Sequence, residues 1–256
     1  MKVGQRRLSG WQRVFLMRFL LLMALILVLA GSLVLQSTAH AQSVRGSTGT
    51  IASTAELTYG EWNARWWQWF FSVPASQNPG LATKGAVDCS VKQSGNVWFL
   101  AGHFAGGGTF MLSCTIPAGK ALFIPLINSW ADNVCVTPPK SVGQLRHDAA
   151  DGVFPPKNLQ ASIDGNSLTS QSQRAVSPVF SYTLPPPPNN VIFKAFHVKI
   201  PGDCGTTSST VDGAVADGFY VMITPDLLTA GSHTIKFGGT GPTGFTLGMT
   251  YELTVQ

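Results

Sequence analysis

The chain has 256 residues, 45% of them hydrophobic and only 11% charged, with a formal net charge of +5. Five of the 17 basic residues lie in the first 41 positions, leaving 12 basic against 12 acidic residues beyond Ala41. That neutral remainder excludes a basic field for nucleic acid or an anionic membrane surface.

Lys2, Arg6, Arg7, Arg13 and Arg18 form a basic head, residues 19–35 are almost wholly apolar, and Ala39-His40-Ala41 supplies small residues where a signal peptidase reads. The pattern predicts a signal peptide over 1–41 and one exported domain over 42–256, periplasmic or extracellular. A retained anchor is the rival, because the apolar run approaches the roughly 18 residues that suffice to span a bilayer. The Ala-x-Ala directly after it favours cleavage, which leaves no stable membrane anchor. No cysteine sits at the cleavage point, so a lipoprotein is disfavoured.

Residues 42–57 are polar and read as extended or loose. The stretch 58–74 then holds four of the seven tryptophans, at 62, 66, 67 and 69, beside Phe70 and Phe71. Thr58 with Glu61 three residues later predicts a capping box. Trp62, Trp66, Trp69, Phe70 and Val73 share one helical face, which Tyr59, Asn63, Trp67 and Phe71 widen. Glu61, Arg65, Gln68 and Ser72 form a polar stripe, with Glu61 and Arg65 an expected i,i+4 pair. Pro74 ends the helix. Each aromatic can bury roughly 150–250 Å², so the helix is expected to anchor a core rather than serve as a ligand platform.

Beyond the helix the signals are mostly β. Residues 97–101 and 121–128 read as buried strands, the second with Pro125 marking an edge or a bulge. Gly106 to Gly108 make a turn before the strand 109–116. Residues 141–151 carry a short second helix. Leu159, Ala161 and Ile163 alternate up to Asp164-Gly165, a two-residue hairpin turn. Residues 179–184 and 191–200 read as strands, 185–188 as a stiff surface crossover and 204–212 as a polar loop. Strands follow at 218–224, 233–237 and 245–255. The fold expected is mainly β: an antiparallel sandwich, jelly-roll or Ig-like, with the Trp-rich helix and one further short helix packed on it.

Cys89, Cys114, Cys135 and Cys204 give an even count in an oxidising compartment, which predicts two disulfides. Three pairings are open. The expected one is Cys89–Cys114, bracketing the 97–101 strand, with Cys135–Cys204. No CxxC or HxxxH spacing supports zinc, and neither a metal nor another cofactor is expected.

Several motifs together resemble a family of bacterial exported proteins that carry a signal peptide. They are Tyr59-Gly60-Glu61-Trp62 with Ala64-Arg65-Trp66-Trp67-Gln68-Trp69, then Trp98-Phe99-Leu100-Ala101-Gly102, and the run from Cys114 through Ile116-Pro117-Ala118-Gly119-Lys120 to Phe123. Ala216-Asp217-Gly218-Phe219 and Gly231-Ser232-His233-Thr234-Ile235 complete the set. The resemblance spans most of the mature chain. It implies a secreted bacterial protein of one domain and transfers no catalytic residue.

Catalytic patterns are sparse. A glycosidase needs two carboxylates facing each other across a sugar, and no pair stands out among Glu61, Asp132, Asp203, Asp212, Asp217 and Glu252. There is no G-x-S-x-G nucleophile elbow. His103, His147, His197 and His233 have no short metal spacing, and the 203–217 acids follow no EF-hand pattern. Trp130 is the residue most suited to a ligand, because Asn128, Asp132 and Asn133 surround it with amide and carboxylate groups; a packed tryptophan at a sandwich edge is the alternative. The function expected is a non-catalytic binding or interaction module of the cell envelope, with a glycan or other envelope polymer as partner. A secreted hydrolase acting on a polysaccharide or other neutral polymer is the alternative reading.

Overall fold

The computed structural model describes residues 57–104 and 106–256. The predicted signal peptide and the polar stretch after it lie outside the described residues.

Helix α1 (Tyr59–Ser72) begins at the predicted capping box: the Glu61 amide donates to Thr58 Oγ1, and the Thr58 amide and hydroxyl donate to Glu61 Oε2. It ends at Val73, extended before Pro74. Three of its tryptophans differ in how their N–H groups are used. Trp66 donates to Leu100 O at 3.0 Å and Trp69 to Val91 O at 2.9 Å, so the helix holds the 91–100 segment against itself. The Trp67 indole nitrogen is buried without a partner at hydrogen-bonding geometry among the described residues. Arg65 does not pair closely with Glu61; its guanidinium lies 5.4 Å over the Trp62 ring.

Two sheets stack beneath the helix. The six-stranded sheet runs β1 (Lys84–Ala86), β3 (Gly108–Ile116), β11 (Thr246–Val255), β10 (Gly231–Thr240), β5 (Lys157–Ile163) and β6 (Asn166–Ser167). The other runs β2 (Val97–Phe99), β4 (Ala121–Ala131), β9 (Thr210–Ile223) and β7 (Gln173–Val176), with β8 (Phe180–Thr183) also paired to β9. Leu122, Ile124 and Leu126 of β4 pack with Phe237 and Tyr251 between the sheets. Phe123 points the other way and joins the α1 aromatics on the outer face. Strand β4 is therefore buried on both sides, which is why its sequence is a continuous apolar run.

The sandwich stands as expected, but its pairing is mixed rather than wholly antiparallel: β1–β3, β3–β11 and β2–β4 are parallel. Residues 117–120 carry the chain from one sheet to the other, so β3 and β4 never form a hairpin and β3 pairs with β11 instead. A second correction concerns 191–200, expected as a strand. Residues Val191–Phe196 are helix α3, because the Asn190 side chain caps the Phe193 amide at 2.8 Å and Val191 and Ile192 both bury on one side. Between these, α2 (Val142–Asp151) forms where the periodicity placed it, with its own Ser141–Gln144 capping box. Disulfides join Cys89 to Cys114 and Cys135 to Cys204, closing separations of 25 and 69 residues. Among the described residues no helix is long and apolar enough to cross a membrane.

His233 on β10 is 9% exposed, and its ring nitrogens lie 2.7 Å from Asp164 Oδ2 and 2.7 Å from Thr229 O. The Asp164 bond, chiefly, and the Thr229 carbonyl raise its pKa above the ordinary histidine value. A histidine with a raised folded pKa stabilises fully below its unfolded pKa, and that stabilisation is lost as pH rises through the folded value. The thermal midpoint of wild type should therefore fall, relative to His233→Leu, between about pH 6 and the alkaline side of neutrality. A difference between the two proteins that stays constant across that window would show that folding does not raise the His233 pKa.

Candidate functional site

Where α1, the end of β4 and the 241–247 turn meet, a cavity of about 250 Å³ opens. Trp66, Trp67 and Phe70 from the helix, Phe104, Trp130 and Phe196 supply its aromatic wall. Trp130 lies 5.0 Å from Trp67 and 5.4 Å from Phe104 between ring centroids, so its flanks are taken by other rings. Phe196, at the end of α3, is half exposed at 50% and stands at the mouth. Ile127, Phe245 and Leu247 close the side that belongs to the sandwich. The cavity thus lies on the seam between the two hydrophobic clusters, where neither the helix nor the sheets fill the space.

Polar atoms in the lining are few: His103, Asn128, Ser129 and Thr243. Asn128 Nδ2 donates to the Tyr220 hydroxyl at 3.1 Å, which donates to Asn63 Oδ1 at 2.7 Å, and Asn63 Nδ2 donates to Ala175 O at 2.7 Å. This buried chain fixes the Asn128 amide with its nitrogen turned to Tyr220, leaving Oδ1 as the acceptor available at the cavity. Burial pushes the Tyr220 hydroxyl far above its ordinary value; the Asn128 donor and the nearby Trp67 indole work against that rise. His103 stacks on Phe110 at 4.0 Å, and burial lowers its pKa, so it is neutral under ordinary conditions.

The four residues expected around a ligand do not share one site. Asn128 and Trp130 line the cavity. Asp132 is engaged: Oδ2 accepts from Trp130 Nε1 at 2.9 Å and from the Tyr182 hydroxyl at 2.8 Å, while Oδ1 accepts from the Val134 amide. Burial first, and then the Asp132 charge and bond, push the Tyr182 hydroxyl far upward, so this is a fixed donor and not an acid. Asn133 turns the other way and clamps the backbone of Lys140 through both amide atoms. The sequence pattern missed His103, Phe104, Phe196 and Phe245, which come from loops and short elements that no periodicity links.

The lining of the cavity holds no carboxylate, cysteine or lysine. Most acids of the described chain have structural partners: Asp217 with Arg174, Asp164 with His233, Asp88 with Ser90, Asp212 with Ser181 and Glu252 with Thr234. Among the described residues no group of three or more His, Cys, Asp or Glu is placed to hold a metal ion.

A second depression, a cleft of about 480 Å³, lies on the opposite side of α1, between its polar stripe and residues 92–97. It shares no lining residue with the aromatic cavity.

Fold and site together define a disulfide-bonded, mixed-sheet sandwich carrying an aromatic cavity beside its anchoring helix. Comparison with known protein families, characterised proteins and solved structures found no match.

Proposed function

We propose that this is an exported, non-catalytic binding module that takes a small, largely apolar molecule, or the apolar moiety of a larger one, into the aromatic cavity. One observation carries the reading: a preformed cavity of about 250 Å³ walled by seven phenylalanine and tryptophan side chains, with a few polar atoms at its edge. An apolar protein cavity of about 150 Å³ is enough to take up benzene, so this one suits a ligand nearer to two fused rings. Sparse, fixed polar groups such as Asn128 Oδ1 are what orients a ligand in a mostly apolar site. The hydrolase alternative finds less support, because no carboxylate reaches the cavity and His103 has none to orient it. Export is supported by the leader pattern and by two disulfides, which persist in oxidising compartments. The resemblance to signal-peptide-bearing bacterial proteins agrees with it.

The test uses a panel of one- and two-ring aromatic compounds, read by thermal shift and tryptophan fluorescence. A ligand held at about 100 times its dissociation constant should stabilise the fold by about 2.7 kcal/mol. Thr243 is exposed at the mouth. Thr243→Trp should therefore block entry while changing stability by no more than about 0.5 kcal/mol. A panel without a single stabilising compound, or equal binding by Thr243→Trp, would remove the cavity as the site.

A further inference from the structure

We propose that the cleft beside α1 binds a carboxylate-bearing saccharide, such as the uronic-acid unit of an acidic glycan. The inference is independent of the cavity reading, since the two sites have no residue in common.

The argument starts from the polar stripe of α1. Arg65 is exposed, as a residue of a solvated helix stripe should be, while Gln68 on the same stripe donates to Ser181 O at 2.9 Å; the structure sets a wall beside Arg65. That wall is the 91–97 segment, and its backbone is pinned. Trp69 Nε1 donates to Val91 O, Lys120 Nζ donates to Gly95 O at 2.8 Å, and the Ala121 amide donates to Asn96 O at 2.9 Å. Gln93 ties the same segment to Phe99 through both of its amide atoms. A loop held this way presents its side chains in a fixed arrangement.

The side chains it presents are unused. Lys92, Ser94 and Asn96 line the cleft, and none of their side chains has a hydrogen-bond partner among the described residues; nor does the Arg65 guanidinium. No carboxylate lines the cleft. The nearest acid along the stripe, Glu61, is occupied by the Thr58 amide and hydroxyl. Arg65 and Lys92, neither with a carboxylate partner, thus line a cleft that itself holds no carboxylate, an arrangement that suits an anion. The rest of the lining specifies more than an anion. Half-buried Trp62 is the least buried aromatic ring of the lining, with the Arg65 guanidinium over part of it, and Ser94 and Asn96 offer hydroxyl and amide groups. A sugar ring has apolar C–H patches, a rim of hydroxyls and, in a uronic acid, one carboxylate. A bare phosphate would use the cations and leave the aromatic surface and most of the volume idle.

The exported chain is titrated, by calorimetry, with short galacturonate oligomers, with neutral galactose oligomers of equal length, and with inorganic phosphate alone. The acidic oligomer should bind at least about tenfold tighter than the neutral one, and more weakly as salt is raised. Arg65→Gln combined with Lys92→Gln should lose about tenfold or more of that affinity. Both positions are exposed, so the thermal midpoint should be unchanged. Thr243→Trp should bind the oligomer as wild type does, which separates this site from the cavity. Equal affinity for neutral oligomers, phosphate alone binding as tightly as the oligomer, a double variant indistinguishable from wild type, or no binding of the acidic oligomer would each overturn the proposal.

Discussion

Trp66→Ala should destabilise the protein by about 3–5 kcal/mol, the cost of deleting a large buried aromatic and leaving a cavity. Trp66 is 2% exposed, stacks on Phe70 at 5.0 Å and meets Trp67 edge-on at 4.9 Å. Its loss also strands Leu100 O, which accepts the indole N–H. Because that bond is one of two that hold the 91–100 segment to the helix, the effect extends to the sandwich edge. Denaturant unfolding measures it directly. Trp130→Ala should cost less, since Trp130 is only partly buried and sits at the rim of existing empty space. If the two substitutions proved equally costly, the aromatic cluster would have no centre at α1.

Arg174→Met should cost about 3–5 kcal/mol, because it leaves Asp217 buried without its partner. Asp217 is 4% exposed at its side chain and receives two bonds from Arg174, Nε to Oδ1 at 3.0 Å and the terminal nitrogen to Oδ2 at 2.7 Å. The guanidinium also covers Phe154 at 4.2 Å from the ring centroid. Replacing both partners with apolar residues, Arg174→Met with Asp217→Leu, should recover most of the loss, since the penalty comes from the unpaired charge. A double variant no more stable than the single one would mean that Asp217 is not the origin of the cost. Unfolding midpoints of the three proteins decide between these outcomes.

Features written in local chemistry were legible in the sequence. The Thr58–Glu61 capping box, the helix stop at Pro74 and the Asp164-Gly165 turn each depend on neighbouring residues. Asp164 and Gly165 adopt φ of 51° and 81°, as a two-residue hairpin turn requires. Pro125 marked an irregularity, and the β4–β9 register shifts between Pro125 and Ile127. The strand misread at 191–200 had a local clue as well: Asn190 is a strong N-cap residue, but β-branched and aromatic neighbours outweighed it. The parallel pairs were not legible, because alternation reports that a residue is in a strand and says nothing about the direction of its partner. The cavity was illegible for a related reason. Trp66 and Phe196 come to line one cavity only after the helix, the crossover and the sheets have been placed, and the aromatic density that signalled a core also walls the empty space beside it.

The position of β11 has a consequence for timing. The last strand of the chain lies inside the six-stranded sheet, between β3 and β10, with Leu247 opposite Gly108 and Val255 opposite Ile116. Until those final residues are free, β3 has no neighbour on that side and half of the sandwich interior stays open. A chain emerging N-terminus first therefore cannot complete this fold before β11, through Val255, is free to pair. Pairings this distant in sequence also close slowly. The strand order thus leaves closure of the six-stranded sheet to the last step of assembly, after the sheet that holds β4 and β9 can already have paired.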